Sequence, residues 1–454
     1  MSHVFYRKLD HALPTVVRAS GVFVYDSSGK RYLDGCGGAM VCNVGHGVEE
    51  IAAAIGAQAR TVAYVNGTAF TNEPAEELAA MLAERSPAGL DKAYFLCSGS
   101  EAVEASLKLA RQYHVERGDE KRRIIIARTP GYHGNTLLAL SASAREHYRQ
   151  IFAPWLLDVA MIDAPYPYRA GALGDRSPAM TGEALETAIL RLGPENVAAF
   201  IAEPIGGSST GASLPPRGYY ARVRDICDRH GVLFIADEVL TGAGRTGRFF
   251  ALEHFRASGG EPISPDIIAM GKGLNGGYAP LSAMIVRSGI IETIARGSGR
   301  FLHAQTYSHN PLGCAAAVAT LRYIDKHGLV ARAGSMGARM QGALAAVAQR
   351  GDGADIVGDV RGCGMLAAVE LVADRETKRP FSRSLKVAET LVAKALERGL
   401  ILWPNVGQAD GINGDLVMIA PPFTISSEEL DELIILLQAA IADTAAALKM
   451  EQPL

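Results

Sequence analysis

The sequence predicts an α/β fold: a large domain on a mostly parallel seven-stranded sheet, and a smaller α+β domain drawn from both chain ends. Three observations carry this. From about residue 92 to 286, short apolar runs alternate with amphipathic helical periods, the pattern of a sheet covered on both faces. Near the N-terminus, "GVFVYDSSGKRYLDG" places two β-rich runs around Asp26-Ser27-Ser28-Gly29, which reads as a hairpin. Beyond about residue 330, strands and helices mix without the earlier alternation.

Taken in order, the expected strands of the large sheet are Ala93–Leu96, Arg123–Ala127, Val159–Ile162, Val197–Ala202, Val232–Ala236, Ile267–Met270 and Leu281–Val286. Each is a short apolar run of the kind buried on both sides. Between them, Glu101–Arg117 and Gly218–His230 carry helical spacing. "TYSHNPLGCAAAVATLRYID" reads as a long helix leaving the large domain. After it, "AAVELV" and "DLVMIAPP" read as strands and "SRSLKVAETLVAKALERG" as a helix ended by Gly399. "SSEELDELIILLQAAIADTAAAL" reads as a capped terminal helix. The division is then 1–60 and 331–454 for the small domain and 61–330 for the large one.

Bulk properties narrow the function. The chain has 454 residues, long enough for two such domains, and 45 basic residues against 48 acidic ones leave a net charge of −3. The longest cationic run, Lys121-Arg122-Arg123, is too short to predict a nucleic-acid surface. "MSHVFYRKLDHALP" has no apolar core of signal-peptide length, and no stretch reads as an uninterrupted membrane span. Cys36, Cys42, Cys97, Cys227, Cys314 and Cys363 stand singly with no CxxC pair. Neither a metal site nor a disulfide framework is expected, and a cytoplasmic location fits.

Two segments carry the chemistry. In "DEVLTGAGRTGRFF", Asp237 ends the apolar run, and carboxylates at the ends of parallel strands lie where α/β folds bind ligands. In "PDIIAMGKGLNGGYAPLSA", Lys272 follows another strand and is flanked by Gly271 and Gly273, which suits a lysine bonded to a flat cofactor. Either residue alone is an ordinary loop residue. Together at one crevice they suggest pyridoxal phosphate, whose aldehyde needs a lysine and whose pyridine nitrogen needs a carboxylate. "LCSGSEAVEASLKLAR" supplies a strand, a Ser98-Gly99-Ser100 turn and a helix N-terminus that can cradle the phosphate, or an ordinary helix capped by Ser100. No GxGxxG lies between a first strand and its helix, which argues against a nucleotide-dependent dehydrogenase.

"SGSEAVEASLKLAR", "GYHGNT", "AEP", "ADEVLTGAGRTG", "GKGLNGGYAPLSA" and "TYSHNPLGCAA", in that order, resemble the class III (omega-type) aminotransferases of the fold-type I pyridoxal-phosphate enzymes. The resemblance runs over nearly the whole chain. It implies that Lys272 holds the cofactor as a Schiff base and shuttles the proton. It implies that Asp237 pairs with the pyridine nitrogen, Val239 packs under the ring, and Tyr132 stacks above it with His133 beside. Ser98, Gly99 and Ser100 would hold the phosphate, and Glu203 would lie near the ring edge. Thr306 would reach the phosphate of the other subunit, so a homodimer with shared active sites is implied. Met40, Tyr64 and Trp403, with Val41 and Cys42, would line the substrate pocket; they are apolar or aromatic, which favours an amine whose far end is not strongly charged. Ordinary core packing explains Val41 and Cys42 equally well. Arg245 is expected to anchor a loop.

Many relatives that use 2-oxoglutarate carry a glutamine, a glutamate and an arginine where this chain has Leu240, Ser208 and Met418. No arginine follows Arg398, so no guanidinium is available from the last strand for a carboxylate. The resemblance therefore implies an amino group moved from an ω-amino acid or amine to a 2-oxo acid by a ping-pong mechanism, with pyruvate slightly favoured over 2-oxoglutarate. A lyase or decarboxylase on the same cofactor and fold is the alternative, because a fold does not fix a reaction. A regulatory protein that kept the fold would need a lost lysine or an added binding domain, and neither is seen.

Overall fold

The computed structural model describes residues 3–9, 12–171, 174–257 and 259–451. Its central sheet has seven strands in the spatial order Leu90–Leu96, Ser282–Arg287, Ile267–Met270, Leu233–Glu238, Val197–Ala202, Ile124–Thr129 and Ala160–Asp163. Ser282–Arg287 runs antiparallel to both of its neighbours, and all the other pairings are parallel. The inner strands are apolar because both faces are covered: every residue of Val197–Ala202 and Leu233–Glu238 is buried.

Alternate residues feed two cores, as the two-residue period of a strand requires. Phe200 and Phe234 stack on one face with ring centres 6.0 Å apart. Ala199, Ile201, Leu233 and Ile235 face the other side, where helix Gly99–Glu116 packs with Ala102, Ala105 and Leu109. Small residues on that helix let it lie close to the sheet. A capping box fixes its start: the Glu101 amide donates to Ser98 Oγ at 3.3 Å, and the Ser98 amide donates to the Glu101 carboxylate at 2.8 Å.

The chain ends meet in a second sheet. The hairpin strands Phe23–Asp26 and Arg31–Asp34 are antiparallel, and Leu400–Ile401 adds in parallel beside Arg31–Asp34. The hairpin turn is held by Asp26, whose Oδ1 accepts the amides of Ser28 at 2.9 Å and Lys30 at 3.1 Å. A third, antiparallel sheet joins Val357–Cys363, Leu366–Leu371, Asp415–Ile419 and Trp403–Val406. Near the hairpin, Asp34, Cys42 and His46 bring three ligand-type atoms within 4.8 Å of one another. Asp34 there accepts the amides of Cys36 and Gly38, so it fastens a turn.

Three expected elements differ. The helix expected to begin in "TYSHN" begins at Pro311, because Asn310 caps it by accepting the Gly313 amide at 3.0 Å and proline fits the first turn. The helix expected from residue 382 begins at Val387, because Lys386 at φ +48° separates it from a short turn, Arg383–Leu385. The terminal helix Ser427–Glu451, capped by Ser426, is long and apolar enough to cross a membrane by composition, against the sequence expectation. Its Leu430, Leu433, Leu437, Ala440 and Ile441 follow helical spacing into the main core, which accounts for that composition.

His114, near the end of helix Gly99–Glu116, is 1% exposed and donates from Nε2 to the Ala198 carbonyl at 2.9 Å. Burial lowers its pKa to about 4, below the ordinary 6.5. The folded value lies below the unfolded one, so stability is complete above about 6.5 and is lost as the pH falls toward 4. By pH 5 the loss from this one group is about 2 kcal/mol. His114→Gln keeps an N–H donor for Ala198. Urea unfolding at pH 7.5 and pH 5 should show its acid sensitivity reduced by about that amount relative to the wild type.

Candidate active site

The strand register brings the two key residues together. Asp237 lies opposite Ala269 and Glu238 opposite Met270, so the chain leaves the next strand at Gly271 and Lys272 right beside Asp237. Lys272 takes φ +44°, a conformation that side chains rarely adopt and that marks a position fixed by its surroundings. A cavity of about 210 Å³ opens at these strand ends. Its floor and walls include Gly99, Ser100, Tyr132, His133, Glu203, Asp237, Val239 and Lys272, eight of the residues the resemblance assigns to the cofactor. Leu240 and Ser208 line it as well. A larger cleft of about 850 Å³ runs past Pro130, Tyr166, Arg169 and Asp410 and contains neither Lys272 nor Asp237.

Asp237 is 4% exposed. Its Oδ2 is 2.6 Å from His133 Nδ1, and its Oδ1 accepts the Val239 amide at 3.1 Å. His133 is itself anchored, its amide donating to Ser143 Oγ at 2.8 Å, while its Nε2 is buried without a partner. Among the described residues no lysine or arginine lies within ion-pair distance of Asp237. A buried carboxylate in that position is suited to a cationic ligand atom. Burial lowers the pKa of the Lys272 amine from its ordinary value, with the nearby charges of Asp237 and Glu203 pulling the other way. The lysine is thereby made a better nucleophile and base.

Glu203 joins the loops around the cavity. Its Oε1 accepts the Gly207 amide at 2.9 Å, and its Oε2 accepts Ser209 Oγ at 3.0 Å and the Tyr132 amide at 3.3 Å. Glu238, one residue after Asp237, points away. Its carboxylate accepts the Ala251 and Leu252 amides at 3.0 and 2.9 Å and the Thr241 hydroxyl, and burial raises its pKa to about 7.

Glycines set the close approaches. A Cβ on Gly99 would sit 2.5 Å from Val239 Cγ1, and one on Gly134 would sit 2.8 Å from the Ser100 backbone. The glycines beside Lys272 also meet close neighbours within the protein. A Cβ on Gly271 would press on Val239 at 3.3 Å, and one on Gly273 would strike Asn43 at 2.8 Å. The cavity nonetheless fits pyridoxal phosphate by its donor set. It has a buried acid for the ring nitrogen, an orphaned imidazole nitrogen beside it, a depressed lysine, and a helix N-terminus at Gly99-Ser100 for the phosphate.

Other expected residues lie outside the cavity wall. Ser98, rather than Ser100, is the helix cap, and its hydroxyl is engaged by the Glu101 amide. Thr306 is exposed on its own chain. Tyr64 is 46% exposed and meets Tyr307 edge-on at 6.0 Å. Met40 is buried in an apolar cluster with Ile205 and Met418, against which Leu240 and Trp403 pack. Arg245 is 2% exposed and donates to the carbonyls of Met365, Ala420 and Pro421, which makes it the loop anchor expected. Sequence reading missed Ile205 and Thr241 in the wall, and Arg145 behind it. Arg145 donates to Ser208 Oγ at 3.2 Å and to Asn405 Oδ1, and its guanidinium carbon lies 5.8 Å from the centre of the Tyr132 ring. Nothing local in "SASAREHYRQ" marks that residue, because its partners are 63 and 260 positions away.

The model of the family "Aminotransferase class-III" matches residues 4–441. An uncharacterized aminotransferase of Bacillus subtilis, YodT, is 41% identical over 99% of this chain and 100% of its own. The diaminobutyrate–2-oxoglutarate transaminase of Halomonas elongata is 35% identical over 96% and 92% of the two chains. The putrescine–pyruvate aminotransferase of Pseudomonas aeruginosa is 34% identical over 95% and 91%. Among solved structures, an amine transaminase from an uncultivated Pseudomonas species, in its pyridoxal-phosphate-bound form, superposes with a TM-score of 0.87 at 31% identity. It covers 98% of this chain and 99% of its own.

Borohydride reduction of the protein loaded with pyridoxal phosphate should fix the cofactor to the peptide carrying Lys272, as read by mass spectrometry. Lys272→Ala should show no such adduct. An adduct on another lysine in the wild type would displace Lys272 from this role.

Proposed function

The chain belongs to the class III aminotransferases, which use pyridoxal phosphate, and we propose that it moves an amino group from an ω-amino acid or amine to a 2-oxo acid by a ping-pong mechanism. The observation that carries this reading is Asp237, buried, fastened to His133 at 2.6 Å, and opening onto the same cavity as Lys272.

Bound pyridoxal phosphate supplies a cationic ring, conjugated with the substrate nitrogen, that acidifies the substrate's Cα–H. Asp237 holds a proton at the ring nitrogen, and His133 keeps the carboxylate oriented and desolvated while it does so. The Gly99 and Ser100 end of helix Gly99–Glu116 binds the phosphate through free amides and the helix dipole. Val239 and Tyr132, both in the cavity wall, would help to hold the ring, an aromatic face being favourable against a cation. Lys272 would hold the cofactor and, once freed by the substrate amine, its Nζ would take the proton from the substrate Cα, for which its lowered pKa suits it. Glu203 holds the loops bearing Tyr132 and Ser209 against the cavity and so helps to exclude water.

Pyruvate is the slightly favoured acceptor. Leu240 and Ser208 in the wall, and Met418 in the apolar cluster beyond it, offer no charge for a second carboxylate. Relatives of comparable identity are named for both acceptors, so the lining residues of this chain carry the preference. Thr306 and Tyr64, exposed on their own chain, suit a homodimer in which each subunit completes the other's site. The six cysteines, all free thiols, suit a cytoplasmic enzyme.

An amine donor alone should convert the absorbance of the bound cofactor, and pyruvate alone should restore it. Initial rates should give parallel double-reciprocal lines, with kcat/KM for pyruvate exceeding that for 2-oxoglutarate by about threefold or more. Ammonia release without that conversion would make the enzyme a lyase, and carbon dioxide release would make it a decarboxylase.

A further inference from the structure

Arg145 stands one side chain behind the cavity and touches two of its walls, Ser208 and Tyr132. Three segments distant in the chain bring its partners together: the loop after Ser143, the loop after Glu203, and strand Trp403–Val406. Arg145 is part-buried, and its partners set it apart from other shielded arginines. Arg361 and Arg169 pair with Glu370. Arg149 and Arg245 donate to main-chain carbonyls fixed in turns. Arg145 has only neutral side-chain acceptors, and among the described residues no carboxylate lies within ion-pair distance of it. Burial lowers its pKa from the ordinary value, with Glu203 and the tyrosines 148 and 132 opposing and Arg7 reinforcing. A partly desolvated cation without a counter-charge is a costly arrangement, and a bound anion would offset it.

Its two partners are equipped for the same anion. Asn405 is 2% exposed, accepts from Arg145 through Oδ1, and has a buried Nδ2 with no partner. Ser208 is 8% exposed, and because its oxygen accepts from Arg145 its own proton remains available to donate. Guanidinium, amide and hydroxyl thus form a donor cluster that reaches the cavity wall through Ser208. Trp403, two residues before Asn405 and on the same face of its strand, packs on the adjoining apolar cluster with Met40 and Leu240.

We propose that Arg145, Ser208 and Asn405 form the subsite for the single carboxylate of an amino acid or 2-oxo acid substrate, with Arg145 as its counter-charge. The proposal rests on the aminotransferase reading and sharpens it. One guanidinium serves one carboxylate, so monocarboxylic acids bind and the remainder of the substrate meets apolar wall. It also supplies what the last strand lacks, since Met418 leaves no cation there.

L-alanine and isopropylamine make a matched pair, differing by a carboxylate against a methyl group. In single half-reactions of the loaded enzyme, Arg145→Gln should lower the ratio of kcat/KM for alanine to that for isopropylamine by about 100-fold, as loss of charge-assisted hydrogen bonds predicts. Asn405→Asp, which supplies Arg145 with an internal partner, should lower the same ratio while raising the melting temperature. Propionate, which carries no amine or ketone, gives a readout without turnover: calorimetric binding to the wild-type enzyme should weaken about tenfold or more in both variants. An unchanged ratio together with unchanged propionate affinity overturns the subsite. Absence of cofactor conversion in the wild type by these two and by a panel of ω-amino acids and diamines would instead overturn the aminotransferase reading, and propionate binding would still decide the role of Arg145.

Discussion

A carboxylate buried at the end of a central strand is the constraint around which the rest of this molecule is arranged. Asp237 cannot be left in a low-dielectric interior without partners. His133 and the Val239 amide supply two of them, and the cavity leaves the remaining approach open to a ligand. Parallel pairing then fixes where the answering lysine must stand. With Asp237 opposite Ala269, Lys272 emerges beside it with little freedom, which its positive φ reflects. The sheet positions both residues because its strands are buried on two faces and do not slip.

Around that pair, contacts that look structural set the chemistry. Glu203 spans from the Gly207 amide to the Tyr132 amide, so two loops are held to one cavity. Gly99 and Gly134 allow the Ser98-Gly99-Ser100 turn, Val239 and the Tyr132 loop to approach more closely than any side chain would permit. Glu238 is the counter-example. It shares the strand end with Asp237, but strand alternation turns it to the other face, where it fastens the Ala251 turn. Two adjacent acids therefore have separate roles because of side-chain period alone.

Legibility in the sequence followed locality. The inner strands were readable because burial on both faces makes them apolar runs. Leu90–Leu96 was read short, beginning at Ala93, because its edge position leaves Asp91 and Lys92 exposed and polar. Eight of the expected residues meet at one cavity, and they were legible because most sit at a strand end or helix start with its own motif. The start of helix Pro311–Lys326 was misplaced because the capping asparagine and the proline decide it more sharply than the apolar period. Arg145, Ser208 and Asn405 could not be joined from sequence, since only the tertiary fold brings three loop and edge positions together. The same holds for the glycines beside Lys272, whose neighbours, Gly99, Val239 and Asn43, are distant in the chain.

If Asp237 governs the site electrostatically, the isosteric change Asp237→Asn removes its charge while keeping an oxygen for His133. The direct measurement is the rate of a single half-reaction with an amine donor, in variant and wild-type protein both saturated with pyridoxal phosphate. The variant should fold and still bind the cofactor, with that rate lowered by about 100-fold or more. A variant that reacts at the wild-type rate would contradict that role of Asp237.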